Sequence, residues 1–318
     1  NLLLYFLKMK FIMSKKFMKN FFKALSLSSS IIISSLITNK VNALDVYECP
    51  ESGSANANEG YIRNLDSSDT TWGSCQTTPE KFELTMYEMG LCTSDPISGV
   101  DGSKVWDKSN CVTTMIDSSG VTVDLAPGSS SSKTVSLPSA ETRPPSGTYT
   151  HAFILLSNVF GLRGSYILDG TRYYSTPGID QQDNSPYGEP VAGNAASQDH
   201  TDIVDQVGPD PYPMEMSPVA FPASQGGGKV SALLFKDCDH IANQCTGTSP
   251  KAASKTEAKR IFAVFETNAG VPVVISDNTT GLEVELSVKN AGYTMAVDQG
   301  SGVTYFGSAP FLPKFTTF

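Results

Sequence analysis

The stretch that decides the fold is Thr148-Tyr149-Thr150-His151-Ala152-Phe153-Ile154-Leu155-Leu156. It is apolar without helical spacing, is rich in aromatic and branched side chains, and follows Pro144, Pro145 and Gly147. A run of this kind reads as a central strand covered on both faces. Its surroundings have the other strand period. Phe82-Glu83-Leu84-Thr85-Met86, Val121-Thr122-Val123-Asp124-Leu125, Thr134-Val135-Ser136-Leu137 and Leu282-Glu283-Val284-Glu285-Leu286-Ser287-Val288 alternate apolar and polar residues, as half-buried strands do.

Tyr166-Ile167-Leu168 and Arg172-Tyr173-Tyr174 flank Asp169-Gly170, which predicts a hairpin on a type I′ turn. Further strands are expected over 230–235, 261–265, 271–275, 293–297 and 303–306, parted by Asn, Asp and Gly turn chemistry. Ala252–Lys259 is the one helical candidate, at one or two turns. This pattern predicts an all-β chain, an antiparallel β-sandwich.

Residues 1–43 hold seven lysines and no acid, and they read as upstream residues plus a secretory signal peptide. Lys15, Lys16, Lys19 and Lys23 form the basic region, Ala24 to Ile37 the apolar one, and Val41-Asn42-Ala43 a cleavage site with small side chains. Residues 44–318 then carry a net charge of −16, more acidic than the −9 of the whole chain. Such a field repels phosphate backbones and anionic leaflets, so neither nucleic acid nor a membrane surface is an expected partner. After cleavage no transmembrane segment is expected, and the protein is placed in the periplasm, at the cell surface or outside the cell. All six cysteines follow the leader, and an exported chain with an even count is expected to form disulfides. Neighbour spacing favours Cys49–Cys75, Cys92–Cys111 and Cys238–Cys245, although six cysteines allow 15 connectivities.

Domain organisation follows from composition. Residues 44–80 read as a disulfide-tied loop region, and 81–318 as the β-sandwich domain. Residues 175–228 contain eight prolines and many acids and no Lys or Arg, so they read as a long loop insertion.

Three stretches resemble a family of exported bacterial β-sandwich domains of unknown function. They are KFELTMYEMGLC at 81–92, VTVDLAPG at 121–128 with KTVSLPSAETRPPSGTYTHAFILLS at 133–157, and FAVFETNAGVPVVISDNTTGLEVELSV at 262–288. The resemblance extends over about 81–291 and implies an immunoglobulin-like or prealbumin-like sandwich with no catalytic residues.

The chemistry-bearing motifs are sparse. The chain has no G-x-S-x-G, H-E-x-x-H, P-loop or C-x-x-C. His151 and His240 read as packed or loop histidines, and Glu283 and Glu285 as a solvated strand face. Calcium is the candidate cation, because hard cations take roughly six to eight oxygens. Asp180, Asp183, Asp199, Asp202 and Asp205, and separately Asp237 and Asp239, are the candidate ligands. Trp72, Trp106, Tyr173, Tyr174, Tyr187 and Tyr212 fall in or near expected loops and are candidates for stacking on sugar rings. The functional expectation is a non-catalytic surface or periplasmic protein with a binding or structural role, without an obligate cofactor. The alternatives are a carbohydrate-active enzyme or glycan-binding module, and an adhesin or filament subunit that assembles by strand addition. A glycan or another surface protein is the expected kind of partner.

Overall fold

The computed structural model describes residues 48–49, 62–63, 72–126, 143–180, 184–193, 196–237, 251–298 and 301–318. Within them the chain is almost entirely antiparallel β-structure. The apolar stretch forms strand His151–Ser157, with Val159–Arg163 continuing it after a break at Asn158. On one side, both halves pair with Lys81–Cys92. On the other side the halves part company: His151–Ser157 pairs with Arg260–Glu266, and Val159–Arg163 with His200–Ile203.

Asn158 holds this fork open. Its side-chain amide donates to Ala258 O (3.1 Å) and Val204 O (3.2 Å). Its backbone N–H donates to Lys259 O, and its carbonyl accepts from Val204 N. Lys229–Phe235 and Glu215–Ala220 extend this sheet beyond Arg260–Glu266, while Cys111–Asp124 flanks Lys81–Cys92.

Side-chain parity explains why the central strand is apolar throughout. Ile154 and Leu156 face the main core with Ala232, Leu234, Ile261, Ala263 and Phe265. Phe153 and Leu155 face the opposite way, with Leu233, Phe235, Phe262 and Val264. Both faces of the sheet are therefore buried, and a period-2 alternation has no polar face to report. A register shift between Met86 and Glu88 reverses the parity of the neighbouring strand, which turns Glu88 to the outer face.

The outer face is covered by residues 93–110, a segment bracketed by the Cys92–Cys111 disulfide. The short hairpin Ile97–Ser98/Val105–Trp106 carries Trp106 onto Phe153 and Phe262. Polar anchors fix this cover. The buried Glu88 carboxylate accepts from Lys108 Nζ and Thr113 Oγ1, both at 2.5 Å. The buried Glu215 carboxylate accepts from Gly102 N (2.7 Å) and Lys251 Nζ. Lys104 pairs with Asp101 at 2.7 Å and donates to Ser217 Oγ at 2.8 Å.

A second large sheet runs in the order 62–63, Trp72–Thr77, Tyr293–Asp298, Gly302–Ser308, Pro186–Ala192, Thr171–Ile179 and Ser165–Leu168. Its Tyr293, Met295, Val297, Val303, Phe306, Tyr166 and Leu168 complete the main core. The Cys49–Cys75 disulfide lies at its side, so two of the expected bridges are present. Cys238 and Cys245 lie outside the described residues, as do Thr134–Leu137. Asp169 and Gly170 both have positive φ and join Leu168 to Thr171, as the type I′ hairpin requires. The helical candidate is reduced to one 3-10 turn, Lys255–Glu257.

The proline-rich segment differs from expectation. Residues 175–228 carry strand residues of both large sheets rather than forming a surface loop. Proline lacks an N–H, but an antiparallel ladder uses only every second residue on each side. Gly193 N donates to Arg172 O, which fixes that phase. Pro177, Pro186 and Pro190 then fall in the intervening pairs, opposite Gly188, Ile179 and Ser175. Pro218 sits in the irregularity between Met216 and Val219 on an edge strand.

Candidate functional site

The described residues form a cleft of about 300 Å³ where three strands meet, and its walls come from both large sheets. Pro186–Ala192 brings Pro186 and Tyr187, with Asp180 and Ser185 at the turn before it. Gly302–Ser308 brings Thr304 and Tyr305. His200–Ile203, held in place by the Asn158 fork, brings Asp202 and Ile203, and Asp205 follows.

Asp202 is the deepest acid, 5% exposed. It accepts from Ser308 Oγ (2.6 Å), Ser308 N (2.7 Å) and Tyr305 Oη (3.1 Å). Burial raises its pKa, against the pull of these donors. Burial, and then the Asp202 charge, pushes the Tyr305 hydroxyl far above its usual range, so it stays a donor. Burial also raises Tyr187, with help from the Glu189 and Asp180 charges. The rings of Tyr187 and Tyr305 stack nearly parallel, 5.9 Å apart.

Of the expected calcium ligands, Asp180, Asp202 and Asp205 share this cleft. Asp183 and Asp239 lie outside the described residues. Asp199 is elsewhere: its carboxylate bonds Lys81 Nζ and Arg163 Nη1, both at 2.9 Å. The Lys81 hydrogen bond is the main reason its pKa is held low. Asp237 pairs with Arg260. Among the described residues no group of three His, Cys, Asp or Glu side chains is placed to hold a metal ion.

The aromatic candidates also separate. Trp106, expected in a loop facing solvent, is 2% exposed and belongs to the outer-face core. It sits in a short hairpin rather than an open loop because the apolar outer face needs a cover. Tyr173 packs against the main core, and Tyr174 is half-buried on the same strand. Trp72 begins a strand of the second sheet. Tyr212 is exposed beside Gly102. His151 bonds Thr150 Oγ1 through Nδ1. Glu283 is exposed, and Glu285 is half-buried opposite Lys314. His240 lies outside the described residues.

Sequence reasoning passed over His200 beside the cleft. It is 4% exposed, and among the described residues neither ring nitrogen makes a well-formed hydrogen bond, the Gln198 backbone being its nearest polar influence. Burial lowers its pKa to about 4, against a smaller upward pull from the Gln198 backbone and the Asp199 charge. Its ring lies against Gly188, where a side chain would collide with it, and faces Tyr293. The signal was the alternation His200-Thr201-Asp202-Ile203, which turns His200 and Asp202 inward together. No helix among the described residues is long and apolar enough to cross a membrane. Comparison with protein-family models, curated proteins and solved structures finds no match.

Proposed function

We propose that this is an exported, disulfide-stapled β-protein that binds a ligand in the Tyr187–Tyr305 cleft and carries out no chemistry on it. The family resemblance, with its sandwich form, belongs to the same reading. Export rests on the leader and the six cysteines. One observation carries the non-catalytic part: the deepest carboxylate of the cleft is already bonded by three donors of the protein. A general acid or base must instead reach the substrate's proton. Glu88 and Glu215, the other buried acids among the described residues, are likewise bonded to lysines. The cleft retains ring surface and oxygen atoms, which suit recognition.

The test is a thermal-shift screen of the oxidised chain against divalent ions, glycans and small organic ions, run beside a hydrolysis panel of polysaccharides and esters. A ligand at about 100 times its Kd stabilises by about 2.7 kcal/mol. The reading expects a shift that Tyr187→Leu abolishes, and no turnover. Turnover lost on substituting one acid would replace it with the enzyme reading.

Strand addition is the second reading. Its support is the 14-residue strand Cys111–Asp124, which among the described residues pairs along one side only. Ladders or fibres in size-exclusion chromatography would favour it, and a single monomer peak would remove it.

A further inference from the structure

The cover formed by residues 93–110 is closed at its base by a bridge that lies within the strand ladder. Cys92 and Cys111 are register partners on adjacent antiparallel strands, with their Cα atoms 4.0 Å apart. Thr93 N donates to Asn110 O, which makes 93 and 110 a hydrogen-bonded pair. Cys92 and Cys111 are then the next, non-hydrogen-bonded pair, in which facing side chains lie closest. The ladder, and not the S–S bond alone, holds the two cysteines opposite each other.

The two sides of the bridge differ in access. Cys92 is fully buried on a strand flanked on both sides, by Cys111–Asp124 and by His151–Ser157. Cys111 opens the flanking strand and is only partly buried. Cys49 and Cys75 of the other described bridge are both buried. Thiol–disulfide exchange requires a thiolate to reach one of the two sulfurs, so access selects the site.

We infer that Cys92–Cys111 is a thiol–disulfide exchange site, attacked at Cys111 and opened by a dithiol rather than a monothiol. In the first step a reagent thiolate bonds to Cys111 Sγ, the Cys92–Cys111 bond breaks, and Cys92 leaves as a thiolate that takes a proton from solvent. The ladder keeps that sulfur beside the mixed disulfide, where it recaptures Cys111 and expels a monothiol. A dithiol escapes this reversal. Its second thiolate attacks its own first sulfur, the reagent closes to a disulfide, and Cys111 departs as a thiolate. The dithiol is oxidised by two electrons and the bridge is reduced by two. The base of 93–110 is then free of its covalent tie, and the anchors to Glu88 and Glu215 that remain are non-covalent.

The experiment treats the oxidised full chain, without denaturant, with dithiothreitol or with 2-mercaptoethanol at the same thiol concentration. Exposed thiols are then alkylated with iodoacetamide and located by peptide mass mapping. With dithiothreitol, Cys92 and Cys111 are expected to take the label together, while Cys49 and Cys75 take it only after unfolding in guanidinium. With 2-mercaptoethanol, Cys92 and Cys111 are expected to stay unlabelled. Hydrogen–deuterium exchange in 93–110 should quicken on reduction, with 151–157 still protected. Two variants locate the attack: the thiol left in Cys92→Ser should react with Ellman's reagent in the folded protein, and that left in Cys111→Ser only after unfolding. Opening of Cys49–Cys75 before or together with Cys92–Cys111 overturns the inference, as does a native protein in which neither bridge opens. Equal opening by the monothiol overturns the ladder's part in it. Equal reactivity of the two variants overturns Cys111 as the point of attack. Unchanged exchange in 93–110 after reduction overturns the bridge as the tie that holds the cover.

Discussion

Trp106→Ala should be among the most damaging single substitutions in the protein, and Trp106→Phe nearly harmless. The indole lies on Phe153 and Phe262 and joins the outer-face core with Cys92, Leu155, Leu233, Phe235 and Val264. A buried tryptophan removes about 200 Å² from water. At about 25 cal/mol per Å² that is about 5 kcal/mol. Aromatic-to-alanine changes in cores cost about 3–5 kcal/mol, which includes the cavity left behind. Phenylalanine fills most of the same space. It also removes an indole N–H that has no partner among the described residues, and an orphaned buried donor costs about 1–3 kcal/mol. The lost area and the relieved donor then offset each other to within about 1.5 kcal/mol. Urea unfolding of the oxidised proteins, followed by far-ultraviolet circular dichroism, measures both. A Trp106→Ala cost below about 1 kcal/mol would refute the claim that residues 93–110 cover a second core. A Trp106→Phe cost as large as that of alanine would mean that the indole N–H makes a bond this account lacks.

Other expectations follow from the same packing. Gly188→Ala would put its Cβ 2.6 Å from His200 Nε2 and 2.7 Å from Phe306 Cβ, so it should cost about 1–3 kcal/mol in a thermal melt. Replacing Cys92 and Cys111 by alanine opens a loop of 19 residues and should cost about 3 kcal/mol in urea. Acid should destabilise the fold through His200, whose folded pKa of about 4 lies below the ordinary value of 6.5. Between those values the unfolded chain binds the proton more readily, so stability falls as pH drops through the window, by about 3 kcal/mol in all. Asp202 acts in the opposite sense above pH 3.8, since its raised pKa makes the folded form the better proton acceptor there. His200→Leu should therefore flatten the acid limb of the urea midpoint between pH 6.5 and 4, and an unchanged limb would contradict the burial of a neutral imidazole.

The strands were legible where local chemistry and tertiary packing agree. The Asp169-Gly170 turn takes the two positive φ values that the hairpin needs, and the dense run at 151–157 is apolar because both sheet faces are covered. The Cys49–Cys75 and Cys92–Cys111 bridges followed from neighbour spacing. Residues 175–228 misled because proline was read as a loop marker, whereas ladder phase admits it at every second position. Trp106 misled for a related reason: turn residues surround it, and nothing local announces that the sheet beneath has an apolar outer face.

The cleft was half legible. Asp180, Asp202 and Asp205 were marked as candidates through their abundance of oxygen ligands, and Tyr187 through its loop surroundings. Asp199 looked equivalent to Asp202, but the strand turns the two to opposite sides. One meets Lys81 and Arg163 at the surface, and the other is buried against Ser308 and Tyr305. Tyr305 and Ser308 come from a strand more than a hundred residues away, and pairing across that distance leaves no local mark.

The most direct test of the account is hydrogen–deuterium exchange of the oxidised chain with and without a saturating concentration of the ligand that the thermal-shift screen identifies. The account predicts slowed exchange confined to the three strands of the cleft, 186–192, 200–205 and 302–308, with the outer-face segment 93–110 unchanged. Protection centred on another part of the surface, or none at a concentration that saturates binding, would contradict it.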